Sequence, residues 1–406
     1  MTIRIEKNNA HMKRWMTYLL LFLMALNFNN MFYILYIVFA ICFVVFEGRA
    51  TYSKTVFGRI CLLALFSVVY LSVYFWHNEF QISKLVVYTS FPIMFAFGNA
   101  LCSQNKKWTT PIWVIVMGLA VHGCLNFVTN FSVIFGKTTV RETVDFWTQE
   151  EWIATGQISL FILLAGCAYY ILFCISFRTT PFLKLALILL LALGMIYNIR
   201  LATRTVVYAC ALSLLIGVVL RWWKSKNSVS KRMRFIFRIL CILLVVFIIG
   251  YFNIGGIRDW IIDSPLYQRV ENIDYGESVT LDSRWGQMVA AFQMLGEKPW
   301  GGYTMEFATN LDFIHNTWLN IAYSCGTVAA IIFFIYGLTI LTDMWTVVRK
   351  SQSGKSAILV VGIYAAVVAY WMLEPVCEAI PSIITLFCFI NGLVLRQLQN
   401  GDMSDG

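Results

Sequence analysis

Leu281-Asp282-Ser283-Arg284-Trp285-Gly286, Gly296-Glu297-Lys298-Pro299-Trp300-Gly301-Gly302-Tyr303 and Ile314-His315-Asn316-Thr317-Trp318 belong to a polar interval, with its C-terminal border, in a chain that otherwise reads as membrane. Around that interval, hydrophobic residues make up 59% of the 406 positions and charged residues 13%. Soluble domains carry about one quarter charged residues, so a soluble fold could not hide this much apolar surface. Apolar runs lie near 15–26, 31–46, 57–75, 85–103, 111–129, 153–177, 181–197, 201–220, 235–251, 319–342, 356–373 and 379–395. A span needs about 20 such residues, so the expected fold is all-α and polytopic, with about 12 transmembrane helices. The first two runs are short enough to be tilted ends or a re-entrant pair.

Basic residues orient this arrangement. With the N terminus cytoplasmic, 22 of the 31 Lys and Arg fall on the inner side and nine on the outer, while 16 of the 21 Asp and Glu fall outside. That bias over short loops is the positive-inside pattern, and the inner cations, Arg59 and Lys184 among them, read as anchors against anionic headgroups. The expected organisation is helices 1–9 over residues 1–251, a large extracytoplasmic loop over 252–318, helices 10–12 over 319–398, and a cytoplasmic tail over 399–406. Lys13 and Arg14 before the first run imitate a signal peptide, but Asn27-Phe28-Asn29-Asn30 offers no small-x-small cleavage site, so the run reads as a retained anchor. The 11 cysteines contain no CxxC and avoid 251–320, which supports neither a metal site nor a disulfide scaffold.

The long loop should hold a helix, since long structureless loops are uncommon. From Asp282 or Ser283 as N-cap, Trp285, Met288, Val289, Phe292 and Leu295 recur at helical spacing, Gln287 and Gln293 form the wet face, and Gly296 stops the run. Arg284 then sits in the first turn, where a cation is electrostatically poor and calls for an anionic partner; Asp282, Glu297 and Glu306 are at hand. Pro299-Trp300-Gly301-Gly302 reads as a sharp turn.

Arg200 and Arg204 are four apart and would share a face at the outer end of the eighth helix. Arg200 also reads as a snorkelling anchor, but Arg204, a turn deeper, calls for a function. Two guanidinium forks in an outward cavity suit a phosphate or pyrophosphate, and Arg284 adds a third donor. His315 is the one histidine of the loop and its flank, and imidazole suits proton transfer at neutral pH. Glu374 and Glu378 flank Pro375 on the same side: one of them would orient His315 or meet a sugar, or both are plain loop carboxylates. Tyr303 and Trp300 offer sugar-stacking faces or interface anchors. His122, with Asn126 one turn away, reads as a polar interhelix contact. The loop 130–152, with Arg141, Glu142, Asp145, Glu150 and Glu151, has enough charge for a lid or an acceptor contact but no pattern.

Ala202-Thr203-Arg204-Thr205, Arg284-Trp285 followed after a helix by Pro299-Trp300-Gly301-Gly302, and His315-Asn316 with Trp318-Leu319 together resemble the motifs of the O-antigen ligase and O-antigen polymerase superfamily of bacterial surface-polysaccharide enzymes. The likeness covers residues 185–345 and departs from that family's pattern in having adjacent rather than spaced glycines. It implies a GT-C-like, metal-independent, inverting glycosyltransferase of the inner membrane, without cofactor, active at the outer face. The donor would be a glycan on undecaprenyl pyrophosphate, and the acceptor lipid A-core in a ligase or a lipid-linked repeat unit in a polymerase, with ligase slightly favoured by length and loop position. Arg204 and Arg284 would hold the pyrophosphate with Arg200 assisting, and His315 would be the general base. Tyr303, Asn316, Glu374 and Glu378 would contact substrate. A flippase for the same lipid-linked glycan is the competing reading, although neither related halves nor broken helices are visible in the sequence.

Overall fold

The computed structural model describes residues 2–47, 52–76, 78, 80–102, 108–136, 140–224, 253–267, 284–300, 313–351 and 354–400. Tyr303, Gly301-Gly302, the caps Asp282 and Ser283, and the apolar run 235–251 lie outside them. In chain order the helices are α1 (Thr2–Ala25), α2 (Phe32–Glu47), α3 (Lys54–Trp76), α4 (Ile82–Cys102), α5 (Thr110–Thr129), α6 (Phe131–Gly136), α7 (Ala154–Gly166), α8 (Pro181–Arg200), α9 (Thr205–Lys224), α10 (Ile257–Ile262), α11 (Arg284–Glu297), α12 (Thr317–Cys325), α13 (Thr327–Lys350), α14 (Lys355–Leu373), α15 (Val376–Ala379) and α16 (Pro381–Asn400). Among the described residues nine helical stretches are long and apolar enough to cross a membrane: α3, α4, α5, α7 with its continuation to Cys174, α8, α9, α13, α14 and α16. The chain is a polytopic, largely helical membrane protein. Helices are what this composition allows in lipid, since every backbone group must then be satisfied within its own segment.

Two short strands interrupt the all-α expectation. β1 (Glu142–Val144) and β2 (Glu151–Ile153) pair antiparallel, with Thr143 opposite Trp152, inside the loop that had shown no pattern. The tenth apolar run is also not one helix. It breaks at Gly326, whose φ of 96° suits only glycine, into α12 and a complete 24-residue span, α13. The carbonyls of Pro299 and Trp300 dock on that break, accepting from the Thr327 hydroxyl and, at 2.8 Å, from the Thr327 N–H. α12 is therefore an extra helix at the end of the bundle that carries Glu374, hereafter the site end.

The spans differ in how far they are enclosed. About 83% of α16 and 78% of both α14 and α7 with its continuation are buried inside the protein, against 33% for α8 and α9, so α7, α14 and α16 form the centre of the bundle. α4 meets α16 closely because Gly98 and Gly392 face backbone: an added Cβ at Gly98 would collide with the Phe389 carbonyl, and one at Gly392 with that of Phe95. Small residues at such crossings let membrane helices pack through van der Waals contact. The short stretch 374–380 joining α14 to α16 consequently lies at the middle of the site end.

Two of the cations expected to anchor the cytoplasmic side are not headgroup anchors. Lys184 is buried and donates to the carbonyls of Leu172 (3.0 Å) and Ile175 (2.9 Å), which the π-helical turn Tyr170–Cys174 closing α7 places within its reach. Arg59 is buried against Asp343 of α13 in a two-pronged ion pair, Nη2 to Oδ1 at 2.8 Å and Nη1 to Oδ2. Asn391 also donates to that carboxylate at 3.2 Å and to the Tyr364 hydroxyl at 2.8 Å, so α3, α13, α14 and α16 share one polar knot. Removing one partner of a buried pair strands the other charge and costs about 3–5 kcal/mol, whereas replacing both with apolar groups is near neutral. Asp343→Ala should lower the thermal midpoint in detergent strongly, and Arg59→Met with Asp343→Leu should return it close to wild type. Equal losses in the two proteins would show that the pair does not act in this way.

Candidate active site

The site grows out of Glu374, the residue that follows α14. Its side chain is fully enclosed, and both carboxylate oxygens accept from other parts of the chain. Oε1 accepts from Arg284 Nη2 at 2.6 Å and from the Thr205 hydroxyl at 3.2 Å. Oε2 pairs with His315 Nδ1 at 3.1 Å and accepts from the Thr155 hydroxyl at 3.5 Å. Arg284 also donates from Nη1 to the Leu373 carbonyl at 2.9 Å. The backbone of Glu374 is held equally firmly: its N–H donates to Tyr370 O at 2.9 Å, and its carbonyl accepts from the Thr317 hydroxyl at 2.6 Å.

The donors share an origin. Thr155 lies in the first turn of α7, Thr205 and Arg284 open α9 and α11, and His315 stands just ahead of the cap of α12. Each helix start carries unpaired N–H groups and the positive end of its dipole, so four positive termini gather around one buried anion. Burial alone would raise the Glu374 carboxyl. The hydrogen bond from His315 and the charge of Arg284 outweigh burial and hold it below its ordinary value.

His315 is positioned on three sides. Nδ1 is tied to Glu374, the ring of Phe313 meets it edge-to-face at 5.1 Å, and the N–H of Asn316 donates to Ile314 O at 2.7 Å across a tight turn centred on it. With Nδ1–H donated to the carboxylate, Nε2 is left as the basic nitrogen, and the side chain is 18% exposed. Asn316 caps α12 by accepting from the Leu319 N–H at 3.1 Å and donates to Met372 O at 3.2 Å. It is buried, so its role is to hold the turn.

The two glutamates part company. Glu374 takes the orienting role beside His315, whereas Glu378 turns the other way and accepts from Asn320 at 2.8 Å and from the Tyr70 and Tyr74 hydroxyls at 2.7 and 3.4 Å. The two arginines are separated as well. α8 ends at Arg200, Ala202 is left-handed at φ 53°, and Thr203 closes the turn on Asn198, N–H to carbonyl at 2.9 Å and hydroxyl to Oδ1 at 2.7 Å. The i, i+4 relation expected of Arg200 and Arg204 is therefore lost. Arg200 donates twice to Ile134 O, at 2.8 and 2.6 Å, and lies over the Phe135 ring, fastening α8 to α6. Arg204 instead precedes Thr205 at the start of α9, half-buried, with no side-chain hydrogen bond or ion pair among the described residues.

Arg284 and His315 thus meet on one carboxylate, and Arg204 adjoins a third ligand of that carboxylate. Among the described residues the acid paired with Arg284 is Glu374, 90 positions on, and not Glu297; Asp282 and Glu306 lie outside the described residues. The sequence does not mark Thr155 as a Glu374 ligand, whereas for Thr205 a hydroxyl in the first turn of a helix beside a cation is a legible signal. Among the described residues no three His, Cys, Asp or Glu side chains gather as a metal would need.

The chain matches no family model and no curated protein significantly.

Proposed function

We propose that this protein is an integral-membrane glycosyltransferase that moves a glycan from a polyprenyl pyrophosphate, of the undecaprenyl kind, onto an acceptor glycan. The observation that carries the reading is the placing of an oriented imidazole and a part-exposed guanidinium on opposite oxygens of one buried carboxylate. In-line displacement at an anomeric carbon needs a base on one face and positive charge on the other, where the leaving group develops. His315 Nε2 takes the proton of the acceptor hydroxyl as its oxygen bonds to the anomeric carbon. The bond from that carbon to the pyrophosphate breaks, and its electron pair leaves on the pyrophosphate oxygen. Arg204 and the exposed part of Arg284 face that charge, assisted by the start of α9, since a helix N-terminus is itself an anion site. Arg200 and Asn316 hold the frame.

In this reading the chain has about 12 spans in a GT-C-like arrangement in the inner membrane. Both termini are cytoplasmic and the site end faces the periplasm. The likeness of the Arg204, Arg284 and His315 segments to the O-antigen ligase and polymerase enzymes supports this, with lipid A-core as acceptor in the ligase reading. The purified protein, given lipid-linked repeat units with and without lipid A-core in detergent, should transfer glycan. A product on lipid A-core means ligase, and a ladder on the repeat unit means polymerase. Movement of lipid-linked glycan across sealed vesicles, with no transfer in detergent, would make it a transporter instead.

Arg204 gives a graded check. A charge-assisted hydrogen bond contributes about 1.5–3 kcal/mol, so Arg204→Gln should lower kcat/KM for the donor by roughly tenfold to a hundredfold. Arg204→Lys should recover part of that, since lysine restores charge but not the fork. An unchanged kcat/KM in Arg204→Gln would take this side chain out of the site.

A further inference from the structure

A second concavity opens on the site end, about 430 Å³ in volume, between the α1–α2 turn, β2 with the first turn of α7, and the junction of α15 with α16. Its walls include Tyr33, Glu151, Trp152, Gly156 and Ser382, with Asn30 at the turn. That size falls within the range of small-molecule pockets. The lining pairs aromatic faces with polar groups that the protein leaves unused. Neither Glu151 nor Ser382 makes a side-chain hydrogen bond among the described residues, and the Asn30 amide donates to none of them. Aromatic faces receive the C–H faces of a pyranose ring, while a carboxylate, an amide and a hydroxyl satisfy its hydroxyl groups.

The cavity adjoins the Glu374 site through the backbone. Trp152 and Gly156 line the cavity, and Thr155 between them donates to Glu374 at 3.5 Å while its carbonyl accepts from Tyr370 at 3.1 Å. The opposite wall, Ala379 to Ser382, follows directly on the segment that carries Glu374 and Glu378.

The third observation is how much buried polar structure holds Trp152 still. Asp145, in the hairpin, is fully buried and pairs with His122 Nε2 at 2.9 Å; Asn126 donates to Asp145 at 3.2 Å and to Gln157 at 3.1 Å. Asp145 Oδ2 accepts the N–H groups of Trp147 and Thr148 at 2.9 and 3.1 Å, and Asn126 Oδ1 that of Phe146 at 2.8 Å. Burying these groups is unfavourable unless they are paired, and none of them touches Glu374, Arg284 or His315. What they fix is the hairpin whose second strand presents Trp152. The His122 ring meets that indole edge-on, with centroids 5.8 Å apart, and a Cβ added at Gly156 would stand 3.2 Å from it. Trp152 is thus a preset platform.

We propose that this cavity is a carbohydrate subsite, in which Trp152 and Tyr33 stack one pyranose ring and Glu151, Asn30 and Ser382 receive its hydroxyls. Its assignment to the acceptor glycan rests on the transfer reading above; sugar binding itself does not. The test is saturation-transfer NMR on the full-length protein in nanodiscs, with the methyl glycosides of glucose, galactose and N-acetylglucosamine, and with octyl glucoside as a lipid-like control. Ring protons of at least one methyl glycoside should be saturated. The effect should weaken about tenfold in Trp152→Ala and in the surface variant Glu151→Gln, and persist in His315→Ala. No saturation from any methyl glycoside, or an effect in Trp152→Ala and Glu151→Gln as strong as in the unaltered protein, overturns the proposal. So does saturation confined to the octyl chain, which would make the cavity a lipid pocket. Where transfer is measurable, Glu151→Gln should raise KM for the acceptor with kcat unchanged. Binding of glycosides without any transfer would sink the transferase reading and leave this one standing, whereas transfer with an unaltered acceptor KM in both variants would remove the acceptor assignment alone.

Discussion

His315→Ala should abolish glycan transfer while leaving the protein inserted and folded. General-base removal costs roughly 10²–10⁴ in rate. No other described side chain offers a replacement imidazole: His122, in α5, is fully buried and its Nε2 is engaged by Asp145 at 2.9 Å. Stability should fall only modestly. Glu374 keeps Arg284, Thr205 and Thr155 as donors when His315 is removed, so the loss is that of one hydrogen bond from a part-exposed ring to a charged group, about 1.5 kcal/mol. Transfer and thermal midpoint measured on the same preparation separate the two effects. Full activity in the variant would remove the base from the mechanism.

Glu374→Gln should be nearly as damaging to transfer and far more damaging to stability. A glutamine has one acceptor oxygen and one donor nitrogen, yet the site presents donors on both sides. With its oxygen towards Arg284, its NH₂ faces His315 Nδ1, forces that nitrogen to accept, and puts the ring proton on Nε2, where the base is needed. With the amide turned round, its NH₂ confronts Arg284 and Thr205. Mispositioned or wrong-tautomer imidazole of this kind lowers rate by a factor on the order of 10² or more. The Arg284 side chain is 30% exposed, so stranding it sits at the lower end of the range for broken buried pairs, about 3 kcal/mol. The pH dependence has a definite sign. Glu374 is held below its ordinary value of 4.5, so its contribution is complete above that pH. As pH falls below 4.5 the unfolded chain takes up a proton that the folded chain refuses, and stability declines until the folded value is passed. The thermal midpoint of Glu374→Gln should therefore vary less steeply with pH in the acid range than that of the wild type. Parallel acid profiles would mean that Glu374 is not the linked group.

Local patterns in the sequence announce much of this. Apolar runs give most of the spans, the spacing from Trp285 to Leu295 gives α11, and a cation at a helix start gives the need for an anion at Arg284. Counting spans puts Glu374, Glu378 and His315 at one end of the bundle, and leaves open whether either glutamate meets the imidazole. What local pattern does not carry is pairing at a distance. Acids within the loop compete on equal terms with Glu374 until the chain is folded, and Arg59 resembles every other inner cation until Asp343 is set beside it. Breaks are also poorly marked. Gly326 lies inside a continuous apolar run, where a glycine is ordinary in membrane helices, and Arg200 with Arg204 keeps helical spacing although Ala202 ends the helix between them. Trp152 opposite Thr143 is a pairing too short for alternation to reveal.

The chain order of the Glu374 ligands has a consequence for biosynthesis. Residues 155, 205, 284 and 315 leave the ribosome well before residue 374, so every donor is made before the acceptor that gathers them. A nascent chain arrested ahead of α15 would hold its base and its cations unassembled, however many helices had already entered the bilayer. Competence should arrive abruptly, as residue 374 is set between α14 and α16.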